Sequence, residues 1–177
     1  MNEVDRELRQ VVEIEGVAAL RVNDLSKDDL PHVGWSGSKT HLDYVERALT
    51  RAEAGDVDYL AVRAPGGEPV AIGGVNYMAH EGAGTLWQLV TKESLRGLGL
   101  GTRLIAEAEA RIKQRGLTHA LIGVEDDNPR ARRLYERLGY RVAGQEDEEW
   151  MVDDGHGNEI VHRAHITLLS KELTEQR

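Results

Sequence analysis

The chain has 177 residues, long enough to bury a core and carry a cleft, and it has no cysteine, which excludes disulfides, thiolate metal sites and cysteine nucleophiles. Hydrophobic residues make up 40% and charged residues 30%, the composition of a soluble globular protein, and no apolar run is long enough to cross a bilayer. The formal net charge of -9 argues against nucleic acid or anionic lipid as partners; it reads first as a means of solubility, with attraction of cationic substrates as the alternative.

Met1 to Glu7 carries charges of both signs and no apolar stretch, so a secretory signal is not expected and a cytoplasmic location is. Val11 to Val22 is rich in Val, Ile, Leu and Ala and predicts a first strand, broken at Gly16. Ser26-Lys27-Asp28-Asp29 predicts a capped helix start that Pro31 soon interrupts. Thr40 and Asp43 resemble a weak capping box, ahead of a helix with Leu42, Val45, Leu49 and Ala52 on one face and Gly55 at its end. A β-meander follows: strands at Tyr59 to Ala64, Val70 to Met78 and Thr85 to Thr91, with turns at Pro65 to Glu68 and His80 to Gly84.

The pattern then changes. A glycine-rich loop leads into a helix over Thr102 to Arg115, with Leu104, Ile105, Ala108 and Ile112 facing inward. His119 to Val124 reads as a buried strand. Asn128 caps a short helix with Pro129 at its first position and Gly139 just past its end. Tyr140 to Trp150 and Glu159 to Leu169 close the chain as a hairpin. Strands, then strand-helix-strand-helix, then strands predict an α/β fold: a mixed sheet with helices on both faces. Its parallel step falls between the strand ending at Thr91 and the one ending at Val124.

The loop Arg96-Gly97-Leu98-Gly99-Leu100-Gly101 carries the strongest functional signal. Glycines allow a tight turn and close approach to a ligand, and the helix start offers unpaired N–H groups at the positive end of its dipole. Together they form a cradle for a phosphate or pyrophosphate, to which Arg96 adds a positive charge. The Walker pattern needs Lys-Ser/Thr after the last glycine, and here Thr102-Arg103 follows. The Rossmann fingerprint needs wider glycine spacing in an early βαβ unit, and this loop lies past mid-chain.

Arg96-x-x-Gly99-x-Gly101 resembles the Gln/Arg-x-x-Gly-x-Gly/Ala signature of the GCN5-related N-acetyltransferases (GNAT). Asn128-x-x-Ala131-x-x-Leu134-Tyr135-x-x-x-Gly139-Tyr140 is similar to that family's second conserved segment, Asn-x-x-Ala-x-x-Leu-Tyr-x-x-x-Gly-Phe/Tyr. The resemblance spans residues 17 to 169 and is strongest from 86 to 140. It implies one GNAT domain over 1–177 that uses acetyl-CoA and no metal, with a homodimer as an open question. It also implies that Leu89 and Val90 offer backbone groups to the pantetheine arm. The N–H groups of Arg96, Gly97, Leu98, Gly99, Leu100, Gly101 and Thr102 would hold the pyrophosphate. Asn128 would bond the pantetheine, and Tyr135 would sit near the thioester sulfur as general acid. Two of these residues also have plain structural readings. Tyr135 shares a helix face with Ala131, Leu134 and Leu138 and reads as a core aromatic, while capping accounts for Asn128.

Acetyl transfer to an amine needs donors aimed at a developing oxyanion, a proton for the leaving thiolate and a base for the amine. No base is evident. Some members of the family carry a glutamate where Thr85 stands, and others where Gly123 stands. Glu125 shares strand parity with Gly123; Gln88, His80 and Glu81 are further candidates. The acidic run Glu146 to Glu149 with Trp150 suits a cationic amine, though it reads first as a solvated edge hairpin. Pro31 to Ser38, with Trp35, is expected to cover the acceptor. His162 and His165 fall on opposite strand faces and do not form a metal pair. The expected acceptor is a small-molecule amine. A protein N-terminus, a lysine, or a non-catalytic acyl-CoA-binding role are the alternatives.

Overall fold

The structure is a computed structural model and describes residues 1–174. A seven-stranded sheet forms its centre: β1 (Arg21–Asp24), β2 (Val57–Arg63), β3 (Pro69–Asn76), β4 (Ala83–Thr91), β5 (His119–Glu125), β6 (Arg141–Asp153) and β7 (Glu159–Glu172). The order is β1-β2-β3-β4-β5-β7-β6, and every neighbouring pair is antiparallel except β4 and β5. The helices are α1 (Glu3–Glu15), α2 (Lys39–Glu53), α3 (Leu100–Gln114) and α4 (Pro129–Arg137).

Strand alternation divides the core. Leu60 and Val62 of β2, Val75 of β3 and Leu86 of β4 pack with Leu104, Ile105, Ala108 and Ile112 of α3. Tyr59, Ala61, Ile72 and Trp87 point to the opposite face and meet Val45, Ala48 and Leu49 of α2. Burying an aliphatic side chain of this size contributes about 1.5–3 kcal/mol. The two helix stripes therefore hold the sheet from both sides, as the predicted α/β architecture requires.

The strand predicted over Val11 to Val22 is not formed. Asn2 caps α1 by accepting the Asp5 N–H at 2.8 Å, and Leu8 and Val12, one turn apart, are both buried. Gly16 at φ 83 ends the helix, a turn of 3-10 helix covers Val17–Ala19, and only Arg21–Asp24 is strand. The apolar content of this segment has helical spacing, which outweighs its β-branched composition. The capping box at Ser26 and Asp29 is present, but Pro31 leaves a 3-10 segment, Lys27–His32. For α2 the cap is Ser38 rather than Thr40: Ser38 accepts the His41 N–H, while the Thr40 hydroxyl donates to Glu159 at 3.0 Å.

The sheet parts at its centre. The β4–β5 register runs from Ala83↔His119 to Leu86↔Ile122 and stops. On the other side of β4, the register with β3 jumps from Ile72↔Val90 to Gly74↔Trp87, a bulge that sets Gln88 and Leu89 against Gly73. Gln88 sits there at φ 55, and no other non-glycine described residue has positive φ. The bulge bends β4 away from β5, so Trp87 to Thr91 present one backbone edge without a partner strand.

Candidate active site

A cleft of about 620 Å³ fills this opening. Leu86, Trp87, Gln88 and Leu89 of β4 line one side, and Ile122, Gly123, Val124 and Glu125 of β5 the other. An unpaired strand edge beside a cleft supplies N–H and C=O groups for a ligand's own amide groups. Leu89 turns its side chain into the α3 layer and Val90 into the α2 layer. The backbone between them remains at the cleft side.

The glycine loop lies at the end of the same strand. Leu95 and Leu100 are buried and Leu98 packs on the core, so three leucines anchor a segment whose glycines turn it. Gly97 and Gly99 have φ 82 and 87, which a β-carbon would strain. The first loop-to-helix bond of α3 is Arg103 N–H to Gly99 C=O, at 3.0 Å. The N–H groups of Leu100, Gly101 and Thr102 thus have no partner one turn back, as at any helix start. The Arg96 N–H donates to Glu93 at 3.2 Å, so the backbone donors of the cradle begin at Gly97 and Arg96 contributes its exposed guanidinium.

Helix α1, absent from the sequence reading, buttresses this loop. Asp5 accepts from Lys92 Nζ at 2.8 Å and Ser94 Oγ at 2.7 Å, and Arg9 donates to the Ser94 carbonyl at 2.6 Å. Burial alone would raise the Asp5 carboxyl, but the bonds from Lys92 and Ser94 outweigh it and hold its pKa below the usual value.

Across the cleft, Asn128 and Tyr135 both reach the wall. The Asn128 carbonyl oxygen caps α4 by accepting from Ala131 N–H at 3.1 Å. Its amide nitrogen makes no hydrogen bond among the described residues, so capping leaves donors of the same side chain free. Tyr135 is half-buried against the core, and burial raises its phenol pKa. Neighbouring Tyr140 is fully buried with its hydroxyl donating to Glu109 at 3.0 Å, so of these two phenols only Tyr135 meets the cleft.

The remaining wall comes from α2 and the terminal hairpin: Ser38, His41 and Tyr44, then Glu148 to Val152. Tyr44 accepts the Met151 N–H at 3.1 Å, and with the Thr40–Glu159 bond this fastens α2 to the hairpin. His41 and Tyr44 escaped the sequence reading because only the apolar stripe of α2 was followed; their three-residue spacing marks a second face. Trp35 packs into the α2 core layer and does not line the cleft.

Among the candidate bases, Glu125 faces the cleft but lies 3.1 Å from His162 Nε2, and His162 in turn packs on Trp150 at 4.7 Å. Gln88 accepts from the Tyr59 hydroxyl at 3.0 Å. Glu81 is exposed and outside the cleft. His80 faces the cleft, between Thr85 and Glu146. The acidic run divides: Glu148 and Glu149 line the wall, Glu146 holds His80, and Asp147 pairs outward with His165. Burial and the nearby Glu146 raise the Glu148 carboxyl, against a lowering by His80. Among the described residues no cluster of three or more His, Asp or Glu is placed to hold a metal, and no helix is long and apolar enough to cross a membrane.

A parted β4–β5 pair leading into a glycine cradle, with a capped helix opposite, makes a cleft suited to a ligand that joins amide groups to a phosphate. The profile of the acetyltransferase (GNAT) family matches residues 20–140, and the chain belongs to that family. A 5-NmdU N-acetyltransferase of Pseudomonas phage PaMx11 is 38% identical over 60 residues, which cover 34% of this chain and 41% of that protein. Among solved structures, spermidine/spermine N-acetyltransferase SpeG from Vibrio cholerae has a TM-score of 0.67 at 15% identity, covering 89% of this chain and 94% of its own. PaiA N-acetyltransferase from Thermoplasma acidophilum, in complex with coenzyme A, has 0.61 at 16%, covering 87% and 99%. Ribosomal-protein-alanine N-acetyltransferase from Brucella melitensis has 0.65 at 16%, covering 87% and 100%. At these identities the likeness is one of fold.

Proposed function

We propose that this chain transfers an acetyl group from acetyl-CoA to a primary amine on a small cationic acceptor, by direct attack, and that residues 1–177 form one catalytic domain. The observation that carries this reading is the parted strand pair ending in the glycine cradle. Its donors and unpaired edge fit two adjoining parts of coenzyme A: N–H groups from Gly97 to Thr102 suit the pyrophosphate, and the β4 edge at Leu89 and Val90, with Asn128, suits the amide-bearing arm. Acetyl-CoA supplies an activated acyl carbon. The chain's own residues bind and orient it and move protons.

Tyr135 fits the general acid role because burial keeps its phenol protonated over the working pH range. Holding acceptor and donor in line at the parted strands contributes a large share of the acceleration. A small acceptor is supported by the wall on the far side. The Tyr44–Met151 and Thr40–Glu159 bonds fasten α2 to the hairpin on that side, which favours a compact acceptor over an extended peptide. A cationic acceptor is supported by Glu148 beside Trp150 and Tyr44 on the cleft wall.

The experiment is an acceptor screen that follows coenzyme A release with di- and polycationic amines, neutral amines and N-terminal peptides side by side. Preferred turnover of small cationic amines is expected. Preference for peptides would overturn the acceptor reading, and no turnover at all would favour a non-catalytic acyl-CoA-binding role.

A further inference from the structure

Three side chains from three segments form a hydrogen-bonded row along one wall of the cleft. Thr85 Oγ1 of β4 lies 2.9 Å from His80 Nδ1, in the β3–β4 turn, and His80 Nε2 lies 3.0 Å from Glu146 Oε1 of β6. Thr85 and His80 both face the cleft. His80 and Glu146 each keep about a third of their side-chain surface exposed, 28% and 37%, so the row is open to solvent without being washed apart. Thr85 also sits just before the point where β4 leaves β5, where an acceptor must approach the thioester.

The order carboxylate, imidazole, hydroxyl has a specific use. When Nε2–H donates to Glu146, Nδ1 is the unprotonated nitrogen and accepts the Thr85 O–H. A proton arriving at Thr85 Oγ1 can then be matched by one leaving it for Nδ1, and the carboxylate stabilises the resulting imidazolium. We propose that His80 is the proton acceptor of the transfer, that the Thr85 hydroxyl links it to the acceptor nitrogen, and that Glu146 is its positioning residue.

The proposal rests on the acetyl-transfer reading, and the step balances. The acceptor nitrogen forms a C–N bond to the acyl carbon and the C–S bond breaks. The sulfur leaves with the Tyr135 proton. The surplus proton on nitrogen passes to Thr85 Oγ1 as the Thr85 proton passes to His80 Nδ1. His80 later returns its proton to solvent, and Tyr135 is reprotonated.

Other groups are placed less well. Glu125 is engaged by His162. His41 lines the cleft, but burial lowers its pKa and its Nε2 has no hydrogen-bond partner among the described residues. The charged groups around His80 are Glu146 and Glu148 from β6 and Glu81 beside it in the turn. Glu148 is the competing base and is built into the test.

The test compares the wild-type chain with His80→Gln, His80→Ala, Thr85→Val, Thr85→Ser and Glu148→Gln, using the best amine from the screen. Acetyl-CoA affinity by calorimetry serves as the folding control. His80→Gln should lower kcat by about 100-fold or more with acetyl-CoA affinity unchanged. Added imidazole should restore turnover to His80→Ala, which a merely structural role would not allow. Thr85→Val should behave like His80→Gln, and Thr85→Ser, which keeps the hydroxyl, should recover most of the turnover that Thr85→Val loses. An active His80→Gln overturns the proposal, as does a loss of turnover confined to Glu148→Gln. A wild-type chain that turns over no amine overturns the acetyl-transfer reading and this inference with it. An active wild type beside an equally active His80→Gln overturns only the base.

Discussion

The Tyr59 hydroxyl donates to the Gln88 side-chain oxygen at 3.0 Å, tying a fully buried residue of β2 to the one positive-φ side chain at the parting of the sheet. A residue in that backbone region costs energy and persists only where its surroundings hold it. Tyr59 also meets Trp87 edge-on at 5.7 Å, so it braces both residues at the bend. Tyr59→Phe should therefore lower stability by about 1 kcal/mol and weaken acetyl-CoA several-fold, while leaving the fold intact. Denaturant melts and calorimetric titration check both; unchanged affinity would show that the bulge holds itself.

Gly73 faces the same bulge from β3. A β-carbon there would lie 2.3 Å from Leu89 Cδ2, 3.1 Å from Leu104 Cδ2 and 3.3 Å from Leu89 Cα. The side-chain tips can give way, but the Leu89 backbone can do so only by moving the strand. Gly73→Ala should cost about 1–3 kcal/mol and reduce acetyl-CoA binding more than its loss of stability explains. Binding measured well below the variant's melting transition separates the two effects.

Tyr135→Phe removes the proposed acid and keeps the ring that packs on the core. Coenzyme A affinity should hold and kcat should fall by about 100-fold. Equal rates for the two proteins would assign thiolate protonation to solvent.

Much of this was legible in the residues. Asn128 with Pro129, Gly139 and the glycine loop specify local backbone shapes, and these emerged at the expected positions because caps and tight turns are set by near neighbours. The parallel step followed from the order of elements. What was hidden depends on distant pairs. Val11 to Val22 has strand-like composition, but Leu8 and Val12 find a core beside the loop near Lys92 and Ser94, and that contact selects the helix. The bulge of β4 against Gly73 arises from the pairing of two strands, which neither strand's own residues declare. Tyr44 and Thr40 look like ordinary helix surface until the hairpin lands on them.

Acid sensitivity should track Asp29. Hydrogen bonds from Arg63, against the cost of burial, hold this carboxyl at about 2, below its ordinary 3.8. A depressed carboxylate stabilises the fold above its unfolded value, and that stability is lost as pH falls through the folded one. The pair therefore contributes about 2 kcal/mol near neutrality, which should drain away between about pH 4 and pH 2. Asp29→Asn should be less stable at pH 7 and show a flatter decline over that window in denaturant melts. An unchanged decline would assign the acid transition to other carboxylates.

The central claim is that the loop from Gly97 to Thr102 and the parted edge of β4 hold coenzyme A. Isothermal titration of acetyl-CoA into the wild-type chain and into Gly99→Val tests it most directly, because Gly99 at φ 87 begins α3 and a branched side chain cannot rest there without strain. Saturable one-site binding by the wild type, with at least tenfold weaker binding by a folded Gly99→Val, is the predicted result. No binding by the wild type, or equal binding by both, would contradict the account.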